Sequence, residues 1–207
     1  MIVGTGGQGR ECLDIALAMV DDGAHFNVVG FVDDNPSPID KQLVEQRGFP
    51  ILGTVESLLG SPRGADVCIG IGSGNTRRHI DRRLRGAGVT CPVLLHPSST
   101  VGSQVRLGEG STIWAGARLT THIQTGRHVH INQNATIGHD STLADYATVH
   151  PQAAISGNVR LEAASTVGAS ATVLPGLEVG AGAIVGAGAV VVLSVEASRT
   201  VKGVPAR

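Results

Sequence analysis

Large rings are scarce in this chain, with one Trp, one Tyr and three Phe in 207 residues, so its interior must be filled by smaller aliphatic side chains. It has almost no excess of either charge, 16 basic residues against 17 acidic, which removes the electrostatic footprint expected of a nucleic-acid binder. Only three cysteines occur, Cys12, Cys68 and Cys91, with no CxxC pair among them. A disulfide framework is thereby excluded, and a reducing cytoplasm is the expected compartment. The start shows no basic stretch leading into an apolar core, so no secretory signal is expected. The apolar run 181–195 is interrupted by glycine and falls short of the ~20 residues that a bilayer requires, so no membrane partner is expected either.

What the chain does have is a six-residue period. Every sixth residue from Val101 to Val191 is aliphatic in fifteen of sixteen cases, Thr125 being the exception. Two positions before many of these stands a small residue, as at Ser111, Ala117, Ala135, Ser141, Ala147, Ala153, Ser165, Ala171, Ala183 and Ala189. This pattern predicts a parallel β-helix of hexapeptide repeats, a narrow triangular tube in which each side contributes one inward aliphatic and three hexapeptides close an eighteen-residue coil. Sixteen hexapeptides give a little over five coils. The period also explains the apolar 181–195 stretch, which keeps the same phase.

The first 95 residues follow another plan. A short strand at Met1–Val3, the turn Gly4-Thr5-Gly6-Gly7-Gln8-Gly9, a helix over Glu11–Val20 and a strand over Val28–Val32 ending at Asp33-Asp34 read as a βαβ unit. Its GxGxxG spacing lets backbone approach phosphate at a helix N-terminus, and acidic residues close the second strand where a ribose or base can bind. With room for about one βαβαβ half, the domain suits a mononucleotide or nucleotide-sugar better than NAD. A strand at Ala65–Ile71, an arginine-bearing helix read as a solvated face, and a last strand at Cys91–Leu95 complete it, with His96-Pro97-Ser98-Ser99 as linker. The expected domains are 1–95, α/β and nucleotide-sugar-binding, and 96–207, the β-helix.

Within the repeats, Asn132, Asn134 and the pair His139-Asp140 are residues that the scaffold does not require. Eighteen-residue arithmetic sets His139 over Thr121 and under Gly157, whose missing side chain leaves space for the imidazole. An imidazole beside a carboxylate is a means of taking a proton near neutral pH. That reading stands beside the simpler one of a solvent-facing corner histidine. The same arithmetic aligns Pro151, Ala169 and Ala187 into a smooth external groove beside Gly168 and Gly186.

The segments GTGGQGRE, VGFVDD, ILGT, GSGNTRR, LLHPSS, INQNATIGHD, ISGNV, VGAGAVV and VKGVPAR, taken together over essentially the whole chain, resemble the sialic-acid O-acetyltransferase/nucleotide-sugar N-acetyltransferase family of left-handed β-helix enzymes. The resemblance implies a homotrimer with sites between neighbouring β-helices, acetyl-CoA as donor, no metal, and the amino group of a UDP-linked deoxysugar as acceptor. It implies His139 as general base with Asp140 as its modulator, and nucleotide binding at Gly6, Gly7, Gln8, Asp33, Asp34 and Gly53. It also implies coenzyme A along Gly157, Ala169 and Ala187. Where the family carries a second histidine against the acetyl carbonyl this chain has Thr148, so either Thr148 or His150 makes that contact.

Direct attack by an amine on a thioester needs positioning and a base but no covalent intermediate. No cysteine lies in the repeats to form one. Three other classes are consistent with parts of the sequence: sugar O-acetylation by the same base, a zinc hydratase using His122, His128, His130, His139 or His150, and a non-catalytic nucleotide-sugar-binding scaffold. Ligand pairs at productive spacing are not evident for zinc.

Overall fold

The structure, a computed structural model, describes residues 1–60 and 64–207. The chain divides into two compact units, Met1–Leu94 and Leu95–Arg207.

In the first unit the strands β1 (Ile2–Val3), β2 (Phe31–Val32) and β3 (Cys68–Ile69) form a parallel sheet in the order β2-β1-β3. Among the described residues four helices accompany it: α1 (Gly7–Asp21), α2 (Pro38–Gln46), α3 (Val55–Gly60) and α4 (Gly74–Gly86). Their apolar faces meet the sheet in a core of Val3, Val32, Val55, Leu58, Val67, Ile69, Ile80, Leu84 and Cys91. The helices α2 and α3 have little apolar period to announce them. Caps start them instead: Ser37 accepts from the Asp40 amide at α2, and at α3 Thr54 accepts from the Ser57 amide while Asp34, distant in sequence, accepts from the Val55 amide.

Two expectations are corrected here. No continuous strand runs over Cys91–Leu95, because Pro92 lacks the amide a ladder needs. Cys91 stays in the first core, whereas Leu95 packs against the second. The arginines of α4 are not uniformly solvated either. Arg77 is fully buried and donates to the carbonyls of Ile71 and Gly72 at 3.0 and 2.7 Å, and burial lowers its pKa to about 10.

The second unit is a left-handed parallel β-helix of about six turns. Its three faces comprise six strands from Thr100–Val101 to Val190–Val191 (face one), four from Gln124–Thr125 to Glu178–Val179 (face two), and seven from Leu94–Leu95 to Thr200–Val201 (face three). The pairings Arg118↔Thr136↔Ala154 fix the coil at eighteen residues. From Ile113 to Val191 the aliphatic positions are 0–2 % exposed. All ten small residues named above are buried at 0–1 %. Thr125, the polar exception, is satisfied inside the tube, where its hydroxyl accepts from the Gly108 amide at 2.9 Å.

Each corner turns through a residue with positive φ three places before the aliphatic. It is glycine at Gly110, Gly116, Gly176, Gly182 and Gly188, and a side-chain-bearing residue at positions such as His122 (φ 53), Asn134 (φ 57) and Asp140 (φ 59). Asn, Asp and His tolerate that region better than most. The ruler extends further than its sequence pattern at both ends. Leu95 lies in phase one step before Val101, and the last strand is out of phase, Val185 pairing Val201 across sixteen residues.

Candidate active site

In the first unit, the sheet order reverses direction between β1 and β3, and the loops that leave these strands flank the switch point where α/β sheets bind ligands. The glycines of the first loop divide into two kinds. A Cβ on Gly9 would lie 1.9 Å from the Gly4 carbonyl oxygen, and Gly4 itself has φ +99 with Gly70 against it, so close packing accounts for both. A Cβ on Gly6 or Gly7 would meet nothing within 4 Å. The open backbone of Gly6 and Gly7 starts α1, whose first turn carries no acidic residue and whose cap makes no side-chain hydrogen bond. The loop that follows β3 is close by, since a Cβ on Gly72 would lie 3.8 Å from Gln8 Oε1.

Asp33 and Asp34 are less free than the sequence suggests. Asp33 Oδ2 accepts from both the amide and the hydroxyl of buried Thr5 at 2.7 Å, and Oδ1 accepts from the Asn35 amide at 2.9 Å. Asp34 caps α3. Gly53, at φ +134, accepts from the Asp33 amide through its carbonyl and leaves no room for a side chain beside Ser57. Thr5 and Arg10 went unnoticed in the sequence. The Arg10 guanidinium ties the Thr5 carbonyl to the Asp40 carboxylate, whose pKa is held low first by the Ser37 hydroxyl and then by Arg10. A hollow of about 370 Å³ lined by Gly7, Arg10, Glu11 and Arg47 opens beside α1. A similar apolar one of about 360 Å³, bounded by Met1, Ile2 and Cys68, lies at the opposite ends of the strands, away from the glycine loop.

In the β-helix, His139 and Asp140 occupy the edge between faces one and two. The corner brings the two side chains together, with His139 Nδ1 2.7 Å from Asp140 Oδ2, and both remain exposed, at 63 % and 58 %. A carboxylate only accepts, so Nδ1 carries the proton and the lone pair of the neutral ring is on Nε2. That nitrogen lies beneath Gly157, where a Cβ would be 2.5 Å from it. The geometry is that of a positioned proton acceptor.

The remaining candidates lie elsewhere on the prism. Pro151, Ala169 and Ala187 stack along the edge between faces three and one, joined by Ser170 N–H to Pro151 O and Gly188 N–H to Ala169 O at 3.0 and 2.8 Å. His150 is half-buried at that same edge. Thr148 is on face three, 3 % exposed, with His130 as its register neighbour. One chain therefore separates His139 from the small-residue groove by a whole side of the triangle. Asn132 is structural, donating to the Val149 carbonyl at 2.8 Å. Among the described residues, no group of three or more His, Cys, Asp or Glu is arranged to hold a metal ion. Nor is any helix among them long and apolar enough to cross a membrane.

A glycine-loop α/β unit followed by a hexapeptide prism with a histidine–carboxylate edge defines a class, the β-helix acyltransferases. Residues 1–84 match the PglD N-terminal domain family. Over its full length the chain is 30% identical to perosamine N-acetyltransferase from Caulobacter crescentus, solved with CoA and GDP-perosamine, covering 94% of that chain with a TM-score of 0.89. It is also similar to the acetyltransferase domain of PglB from Neisseria gonorrhoeae in complex with acetyl coenzyme A (30% identity, all of this chain and 96% of that one, TM-score 0.85). WeeI from Acinetobacter baumannii AYE is a third relative (29%, all of this chain and 97% of that one, 0.86). No curated protein sequence matches significantly. The chain belongs to the nucleotide-sugar N-acetyltransferases of the hexapeptide β-helix family.

Proposed function

We propose that this enzyme transfers the acetyl group of acetyl-CoA to the amino group of a nucleotide-linked amino-deoxysugar, with His139 as general base. The observation that carries the reading is the His139–Asp140 pair, which fixes the Nδ1–H tautomer and presents Nε2 at an exposed corner beneath Gly157. The amine nitrogen attacks the thioester carbonyl, Nε2 takes the proton that the nitrogen sheds, and the C–S bond breaks to release the coenzyme A thiolate, which recovers a proton from the imidazolium. Asp140 holds the ring and stabilises its protonated form.

The nucleotide lies across the open backbone of Gly6 and Gly7 with Gln8, where the N-terminus of α1 meets a diphosphate. Asp33 holds that loop through Thr5 and is itself held by the Gly53 carbonyl, while Asp34 lies beside it as the cap of α3. A UDP carrier is our first reading. GDP is the immediate rival, because the Caulobacter relative was solved with GDP-perosamine. Complexes of that relative include forms with a single histidine replaced by asparagine or alanine, in line with a histidine at the centre of the chemistry.

The separate edges support a homotrimer. Cyclic packing of three prisms sets the His139 edge of one copy against the Ala169–Ala187 groove of the next, so that donor and base meet between copies. For the acetyl contact, His150 fits better than Thr148, since it shares the groove's edge while Thr148 is covered. The test is incubation with acetyl-CoA and a panel of UDP-, dTDP- and GDP-linked amino sugars, with the matching hydroxy sugars alongside, following thiol release. Turnover with one amino sugar and not its hydroxy counterpart is expected. Turnover with hydroxy sugars alone would establish O-acetylation instead, and binding without turnover would leave a scaffold.

A further inference from the structure

The edge that carries His139 holds a second imidazole one coil earlier. His122 occupies the same corner column as Asp140, eighteen residues before it, and the two corners are joined by Asp140 N–H to Thr121 O at 3.1 Å. His122 is exposed, yet its ring is not loose: Nδ1 lies 2.9 Å from Thr121 Oγ1. The proton count around that hydroxyl settles the tautomer. The Ser103 carbonyl can only accept, and it takes the Thr121 hydroxyl proton at 2.8 Å. Thr121 Oγ1 is left as an acceptor, with Ser103 Oγ 2.9 Å away to donate to it, so His122 Nδ1 must donate as well. The chain Ser103–Thr121–His122 thus fixes the ring through Nδ1 and leaves the lone pair of the neutral form on Nε2, as Asp140 does for His139.

Height along the prism says what this second acceptor meets. The coil rises with residue number, and Gly157, Ala169 and Ala187 all lie above His139, whereas His122 lies below Asp140. Cyclic packing about an axis parallel to the prism preserves these heights between copies. His122 is therefore on the far side of the base from the donor groove, where the acceptor sugar must enter.

We propose that His122 is a specificity-determining residue whose Nε2 hydrogen-bonds a hydroxyl of the acceptor sugar adjacent to the reacting amine. A hydroxyl suits the position because it can donate to a neutral imidazole and accept from a protonated one. The proposal rests on the acetyltransfer reading above, and its test separates the two. On an accepted nucleotide amino sugar, His122→Ala should raise KM about tenfold, the worth of one hydrogen bond of about 1.4 kcal/mol. KM for acetyl-CoA should stay unchanged. His122→Gln, which retains an acceptor, should recover part of the loss. On the analogue lacking the adjacent hydroxyl, wild type and His122→Ala should have the same KM. Equal KM for the full acceptor in wild type and both variants, or an equal loss with the deoxy analogue, would overturn the role of His122 while leaving acetyltransfer intact. Absence of thiol release from the wild type with every acceptor overturns the acetyltransfer reading on which the proposal stands.

Discussion

His139 has little holding it except Asp140 and the bare backbone of Gly157, and that makes the residue's chemistry separable from the fold. Replacing an exposed side chain on a corner leaves the prism core untouched, so His139→Ala should fold normally and lose roughly 10² to 10⁴ in kcat, the range for removing a positioned base. Asp140→Asn should lose less. Near-normal turnover by the His139 variant would return the residue to the scaffold. Gly157→Ala is a sharper probe, because its methyl falls 2.5 Å from Nε2. The exposed ring can swing aside, so stability should hold while kcat drops. At the donor side, His150→Ala should raise KM for acetyl-CoA and lower kcat, and Thr148→Ala should leave both near wild type. The opposite pattern in steady-state kinetics would transfer the acetyl contact to Thr148.

Among the elements, the glycine loop is where backbone contact and ligand access are divided most finely. Gly9→Ala presses a methyl into the Gly4 carbonyl, and overpacking of this kind costs about 1–3 kcal/mol. A drop of at least about 4 °C in the melting of the first unit is expected by calorimetry. Asp33→Ala should act differently. It frees the Thr5 amide and hydroxyl, so that the loop that starts α1 keeps the Gly4 N–H to Val32 O bond but loses its hold at Thr5. Nucleotide affinity should weaken with the β-helix unaffected, and an unchanged Kd in titrations with UDP and GDP would remove Asp33 from the binding apparatus.

These elements also show why some of the molecule was legible and some was not. The prism could be read because each coil repeats one requirement, an inward aliphatic and a small corner, so that a single register fixes Gly157 beside His139 from arithmetic alone. The short helices α2 and α3 could not, since caps and not period define them. Nor did Thr5 or the buried Arg77 announce themselves. Their roles depend on carbonyls brought near by the tertiary fold, and a threonine between two glycines or an arginine among four others carries no mark of that. The Ser103–Thr121–His122 chain was within reach of the eighteen-residue count, but its significance depends on which atom donates.

At the scale of the whole molecule, the separation of His139 and the small-residue groove onto different edges makes a specific demand of the proposed reaction. If each site is shared between copies, an inactive His139→Ala chain and a chain whose groove is blocked by Ala187→Trp should rescue one another. Mixed trimers from equal co-expression should regain roughly a quarter of wild-type turnover, because a random pairing leaves about that fraction of interfaces with both edges intact. Mixing preformed homotrimers without subunit exchange should give none. Co-expression that restores nothing would place base and groove in one chain.

The out-of-phase last coil bears on the molecule's behaviour in a crowded solution. A prism whose coils are all eighteen residues long is an open-ended template, for each strand presents the same row of amides and carbonyls to whatever arrives next, and identical ends invite stacking into fibres. Here the final pairing spans sixteen residues, and the segment beyond it turns back so that the Ala206 amide donates to the Val190 carbonyl and the Lys202 amide to that of Arg207. The Val190 carbonyl and the Lys202 amide are thereby already taken, and the register of the last coil differs from that of the coils below it. A variant with two residues inserted between Val191 and Val195, restoring the eighteen-residue coil, should associate end to end more readily than the wild type by light scattering.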